Sequence, residues 1–152
     1  MLLSVIRKSD MVADSLDSLL RIFSWSCNVL LSGQTPHCDW AGRKLEGGGC
    51  DLAGGWRAQL CQVRGDWQFY CQAFYFPQWN SADIMCPFCK ASSTDRTRPW
   101  SDFSLTAAWR GMIFTHESYL AHIALRGFAT PVLFGIIGFR LECVMVDPLS
   151  YD

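Results

Sequence analysis

The sequence is poor in charge. Charged residues make up 18% of its 152 residues, and 13 Lys and Arg against 14 Asp and Glu leave a formal net charge of -1. A global basic field of the kind that draws proteins onto nucleic acid is therefore missing, and any such contact must come from a local patch. Long hydrophobic runs are also missing. The apolar stretch from Phe128 to Phe139 contains Pro131 and is too short to span a bilayer. At the start, Met1-Leu2-Leu3-Ser4-Val5-Ile6-Arg7-Lys8 places its charges after the apolar residues, the reverse of a secretory signal. An intracellular, soluble protein without a membrane partner is expected. There is no Walker loop, no Gly-x-Ser-x-Gly elbow, no His-Glu-x-x-His motif, no internal repeat, no low-complexity tract and no basic nuclear-localisation cluster.

What is present is apolar and aromatic. Half of the residues are hydrophobic and 14% aromatic, with seven tryptophans and ten phenylalanines, which excludes a disordered chain. The length suits one ordinary domain with a real core. The aromatic content exceeds what such a domain needs, so some of it is expected to face a partner or the rest of a larger fold. Eight cysteines occur, at positions 27, 38, 50, 61, 71, 86, 89 and 143. Cys61 and Cys143 fall in expected strands and Cys27 on the apolar face of a helix, which suits buried free thiols in a reducing compartment better than a disulfide framework.

The periodicity predicts an α/β (α+β) chain. From Asp10 to Leu31, Val12, Leu16, Leu19, Leu20, Phe23, Cys27, Leu30 and Leu31 recur at helical spacing. Asp10 is the expected cap and Gly33 the stop, and the helix is read as packing on the core. Residues 32–55 form a Gly-rich loop long enough to be a disordered insert or a functional segment. A strand is expected from Trp56 to Asp66. A helix follows over the aromatic run Trp67–Phe76, stopped by Pro77. Pro77 to Pro99 is irregular. A short helix is expected around Ala107, Ala108 and Trp109, and a better one from Thr115, its cap, to Gly127. A second strand runs from Phe139 to Asp147, with Phe139, Leu141, Cys143 and Met145 on one face.

Four groups of residues could carry chemistry. Asp66 and Asp147 each end an expected strand, where a carboxylate projects into the crevice that α/β proteins use for ligands and could hold Mg²⁺ for phosphoryl transfer. The ordinary role for either is a turn residue or helix cap. Cys86-Pro87-Phe88-Cys89 has the spacing of half a zinc site. His116 and His122 are candidates to complete it, although six steps of helix turn them about 120° apart, and Cys71 is another. His37 and Cys38 lack ligand spacing to each other. Lys90, Arg96, Arg98 and Arg110 are interleaved with Trp100 and Trp109, a composition that can hold single-stranded nucleic acid or simply make a solvated loop.

The order strand-Gly-Asp-Trp, helix, Cys-x2-Cys, strand ending in Asp resembles the core of cut-and-paste transposases of the CACTA-like superfamily. The blocks Leu60-Cys61-Gln62-Val63-Arg64-Gly65-Asp66-Trp67, Phe76-Pro77-Gln78-Trp79-Asn80, Cys86-Pro87-Phe88-Cys89, Asp102-Phe103-Ser104 and Ala108-Trp109-Arg110 are also similar to multicopy transposon-associated proteins of protists. The resemblance implies a partial ribonuclease-H-like sheet with flanking helices and a Cys-x2-Cys insert, DNA as partner, a structural Zn²⁺ in the insert, Mg²⁺ only where the active site is complete, and the nucleus as a site of action. Asp66 then matches the family's second metal-binding Asp, and Cys86 and Cys89 its cysteine pair. Leu149 matches the residue before a family His, but Ser150 stands in the His position. No first catalytic Asp lies on an upstream strand, and the final Glu would fall beyond Asp152. The expectation is a single partial domain, an internal piece inactive alone. A small zinc module binding nucleic acid or protein is the second reading, and a degenerate reading frame without function the third. No small-molecule substrate is indicated.

Overall fold

The computed structural model describes Val12, residues 14–78 and residues 83–146. Asp10, Trp79, Asn80, Asp147, Leu149 and Ser150, all used in the sequence argument, lie outside the described residues. Among the described residues the fold is mixed α+β, with three α-helices and a two-stranded parallel sheet. These residues pack as two compact units, one from the chain up to Cys61 together with Val132–Phe139, the other from Gln62–Pro131 and the chain from Arg140 on. No described helix is long and apolar enough to cross a membrane.

In the first unit the helix expected from Asp10 to Leu31 is α1, Ser15–Ser32, so Val12, read as part of its apolar stripe, lies before the helix and is exposed. The helix stops where a left-handed residue is needed. Gly33 takes φ 69°, and its N–H donates to the Val29 carbonyl at 3.1 Å. A Cβ there would also come within 2.9 Å of the Arg57 side chain, so glycine is required twice over. The apolar stripe is less covered than a core helix implies. Leu20 and Ser24 are buried, whereas Leu19, Phe23 and Cys27 are half-buried and Leu30 is exposed. Asn28 on this helix clamps the 3₁₀ turn Val132–Gly135, donating to the Gly135 carbonyl at 3.0 Å and accepting from the Ile137 N–H at 2.8 Å.

The Gly-rich loop is ordered by two polar side chains. Asp39, buried, accepts from the backbone N–H groups of Ala41 and Arg43, both at 2.9 Å, and from the Arg43 guanidinium at 2.6 Å. Thr35 donates to the Gly47 carbonyl and accepts from the Cys50 N–H. An Asx-type turn and a threonine staple thus supply what a hydrophobic core does not.

The second unit holds α2 (Trp67–Ala73), α3 (His116–Leu125) and the strands β1 (Val63–Gly65) and β2 (Val144–Val146). The strands are much shorter than the sequence suggests. From Trp56 to Gln62 the apolar composition was not enough, because a strand needs a neighbour. Ala58 instead donates to the Leu30 carbonyl at the end of α1, and Trp56 is 82% exposed. Upstream of β2, Leu141–Cys143 is a 3₁₀ turn. That turn breaks the two-residue alternation, so Leu141 and Val144 are buried, Cys143 is half-buried and Met145 exposed. The expectation that Cys27, Cys61 and Cys143 are buried thiols is corrected accordingly. Cys61 is exposed and the other two half-buried, while all eight cysteines are free.

α2 ends earlier than Pro77 would require. Tyr75 adopts φ 59°, in the left-handed region, and both Phe74 and Phe76 donate to the Tyr70 carbonyl. Its ring stacks on Phe128 at 4.7 Å. α3 matches its predicted limits. Thr115 and Ser118 form a reciprocal capping box, with the Ser118 N–H donating to Thr115 Oγ1 at 3.2 Å and the Thr115 N–H to Ser118 Oγ at 2.9 Å. Gly127, at φ 83°, follows its last turn.

The core of this unit is aromatic. Tyr70, Phe74, Phe76, Phe114 and Tyr119 are buried, with Phe76 edge-on to Tyr119 at 5.9 Å. The hydroxyl of Tyr119 donates to the Phe74 carbonyl at 2.7 Å. The hydroxyl of Tyr70, completely buried, accepts from the Gly65 N–H at 2.6 Å and donates to the Met145 carbonyl through a short bond, so it ties both strands to α2. Replacing Tyr70 by Phe removes one oxygen and takes the hydrogen-bond partner from two backbone groups, the Gly65 N–H and the Met145 carbonyl. Urea unfolding of Tyr70→Phe should show a loss of about 1–3 kcal/mol. An unchanged midpoint would mean that the hydroxyl does not hold the strands.

Candidate functional site

Asp66 directly follows β1 and starts α2 as its N-cap. Its backbone is extended, and Oδ1 accepts from the Phe69 N–H at 2.6 Å. Strand end and helix cap are therefore the same residue. Of the two roles the sequence allows, the hydrogen bond to Phe69 makes capping the one Asp66 performs. The residue is exposed. β1 and β2 are parallel, and their register pairs Gly65 with Val146. Each of these residues is followed in sequence by an aspartate, Asp66 and Asp147.

The Cys86-Pro87-Phe88-Cys89 loop is held from both sides. On one side Ile84 bridges Ser92 in antiparallel fashion, and Met85 donates to the Ala91 carbonyl. On the other, Cys89 bridges Ile113, Lys90 donates to the Met112 carbonyl at 3.0 Å, and Phe114 donates to the Phe88 carbonyl at 2.9 Å. Within the loop the Phe88 N–H donates to Cys86 Sγ at 3.4 Å. Cys86 is half-buried and Cys89 buried. Burial, reinforced by the neighbouring Cys86 sulfur and opposed by the Ala91 N–H, pushes the Cys89 thiol up to about 11. The two cysteines line a shallow pocket of about 290 Å³ with Phe88, Trp109, Arg110 and Ile113.

Beneath the loop lies a polar staple that sequence reasoning passed over. Ser92, 1% exposed, donates to Asp83 Oδ1 at 2.5 Å, and the Thr94 hydroxyl shares that oxygen. Ser92 Oγ in turn accepts from the Thr94 and Asp95 N–H groups. Asp95 accepts from the Thr97 hydroxyl, the Thr97 N–H and the Arg98 guanidinium, which hold its carboxyl down to about 2. The signal was legible in Ser92-Ser93-Thr94-Asp95-Arg96-Thr97, since such residues bond their own backbone in turns.

The other predicted site residues are dispersed. His116 Nδ1 accepts from the Leu141 N–H at 3.1 Å. The His122 ring lies against Phe114 at 5.3 Å, and burial, with Arg126 and Lys90 nearby, lowers its pKa. Cys71, its thiol pushed up by burial, points to the Pro77 carbonyl. Every cysteine and histidine of the sequence is among the described residues. Yet among the described residues no three of His, Cys, Asp and Glu come together as a metal-holding group. The predicted set of Cys86, Cys89, His116 and His122 is thus not assembled, and this arrangement does not fit a four-ligand structural zinc. The histidines sit on α3, and helical rotation directs them to different neighbours.

The basic residues divide in the same way. Arg98 is paired with Asp95 at 2.8 Å and stands 3.9 Å from Asp83. Arg110 lies over the Trp109 ring at 4.7 Å, its guanidinium also donating to the Ser104 carbonyl, and Lys90 lies 5.7 Å from the Phe114 ring. Arg96 and Trp100 are exposed. No protein-family model, curated protein or solved structure matches this chain.

Two measurements follow from these positions. Asparagine caps helices as well as aspartate, so Asp66→Asn should leave the urea midpoint nearly unchanged, while Asp66→Ala should cost about 1 kcal/mol. Equal losses in both would remove the capping assignment. Cys89 is an acid whose folded pKa is raised, so its stabilising contribution is present below its ordinary pKa. That contribution is lost as pH rises through about 9 towards 11. The unfolding midpoint of the protein should fall over that window more steeply than that of Cys89→Ala; parallel curves would show that the thiol is not buried against charge.

Proposed function

We propose that this chain is a piece of a transposase-like, DNA-processing protein with a partial ribonuclease-H-like sheet, catalytically incomplete by itself. The observation that carries the reading is the parallel pair β1–β2. Its register sets Gly65 beside Val146 and so brings together two strand ends that are each followed by an aspartate. In parallel sheets the ligand crevice lies outside the carboxyl ends of the strands. A strand-end aspartate such as Asp66 is one ligand of the kind a divalent-metal site for phosphoryl transfer uses, but such sites draw on further ligands. The resemblance asks for one more Asp upstream and a closing Glu, and neither has a match in these 152 residues. Mg²⁺ chemistry is therefore assigned to the parent family and not to this chain.

In this reading the segment between α2 and α3 is the cysteine-bearing insert, and it makes the contact with DNA. Lys90, Arg96 and Arg110 would meet phosphates, and Trp100 and Trp109 would stack on unpaired bases. Arg98, bound to Asp95, positions the loop instead.

The test is binding of a fluorescent single-stranded oligonucleotide, followed by anisotropy at several salt concentrations. Binding should weaken steeply with salt. The Lys90→Ala/Arg110→Ala double variant should bind less tightly, with a salt slope smaller by about two, one for each lost phosphate contact. With Mn²⁺ or Mg²⁺ added the oligonucleotide should stay intact. Absence of binding at low salt would overturn the DNA assignment. Metal-dependent cleavage abolished by Asp66→Asn would overturn the assignment of catalytic incompleteness.

A further inference from the structure

The cysteine loop presents two neighbouring thiols, Cys86 and Cys89, and among the described residues no third His, Cys, Asp or Glu gathers with them. That count is wrong for zinc and right for another cation. Cuprous copper is a soft monovalent ion for which thiolate is the preferred ligand. It has a filled d shell and is satisfied by two sulfurs in a near-linear arrangement. We propose that Cys86 and Cys89 form a two-sulfur site for cuprous copper at the floor of the pocket they share with Phe88, Trp109, Arg110 and Ile113.

The surroundings suit that ion in three ways. The loop is fixed on both flanks by main-chain bonds to residues 112–114 and 91–92, so the sulfurs are positioned before the ion arrives. The Phe88 N–H already donates to Cys86 Sγ, and a thiolate strengthens such a bond. The walls are Phe88, Trp109 and Ile113, which offer no hard oxygen ligand. Binding is a proton-for-metal exchange without electron transfer. Each S–H bond breaks, two S–Cu bonds form, two protons leave to solvent, and the complex keeps one negative charge. The Arg110 guanidinium lines the same pocket and offsets that charge.

This site shares Trp109 and Arg110 with the proposed DNA contact, but copper uptake and oligonucleotide binding are separate readouts, so either reading can fail without the other. The full chain is used with the exposed thiols removed (Cys38→Ser, Cys50→Ser, Cys61→Ser), so that they do not capture metal. It is titrated without oxygen with cuprous ion held by bicinchoninate, whose colour reports copper withdrawn. One equivalent per chain is expected. Loss of a supporting residue around a metal costs up to about 100-fold in affinity, so Cys86→Ser or Cys89→Ser, which removes a ligand, should cost more. X-ray absorption of the copper-loaded chain should show two sulfur neighbours, a readout that stands even where the serine variants do not fold. Three results would overturn the proposal. They are no withdrawal of copper from the probe, uptake unchanged in both serine variants, and a four-sulfur shell with one metal per two chains, which would make the pair half of a tetrahedral site shared between copies.

Discussion

The hydroxyl of Tyr70 is the point on which the second unit turns. Two three-residue strands are a marginal sheet by themselves, and this pair has few ladder bonds to share. One buried oxygen supplies the missing connection, accepting from Gly65 on β1 and donating to Met145 on β2 while its ring sits in the aromatic core. The same residue is in the first turns of α2, so the strand ends, the helix that follows Asp66 and the core are fixed relative to one another by one side chain. Whatever Asp66 does, it does from a position that Tyr70 sets.

Elsewhere, polar side chains take over where hydrophobic contact is thin. Asp39 and Thr35 fold the Gly-rich loop, Asn28 fastens the turn at Val132–Gly135, and Ser92 with Asp83 and Asp95 supports the cysteine loop. A chain with few charges thus spends them on its own backbone. Arg43 and Arg98 are bound to carboxylates of their own loops, so part of the small basic complement is not presented to a partner.

The helices were legible because their information is local. The stripe of α1, the aromatic run of α2 and the Thr115 cap of α3 each lie within one stretch of sequence, and Gly33 and Gly127 mark two of the ends. The strands were only half legible. Apolar composition from Trp56 to Asp66 suits a strand, but pairing depends on a partner far along the chain, which only Val63–Gly65 finds. The Phe139–Met145 alternation failed because a 3₁₀ turn at Leu141–Cys143 shifts the register of burial. Of the candidate site, the adjacency of Cys86 and Cys89 followed from spacing, and so did the capping role open to Asp66. The histidines could not be placed, since their distance from the cysteine loop is set by how α3 packs. The Ser92 staple was written in the sequence and overlooked for want of a regular period.

The bond from Tyr70 to Met145 joins residues 75 positions apart. Closing so long a segment costs entropy before any contact repays it, and parallel pairing offers no hairpin to shorten the search. During synthesis β1 leaves the ribosome without a neighbour and stays so until Val146 has emerged. Over that interval an unpaired strand and the aromatic residues behind it are open to other chains, which makes the order of translation itself part of how this sheet is reached.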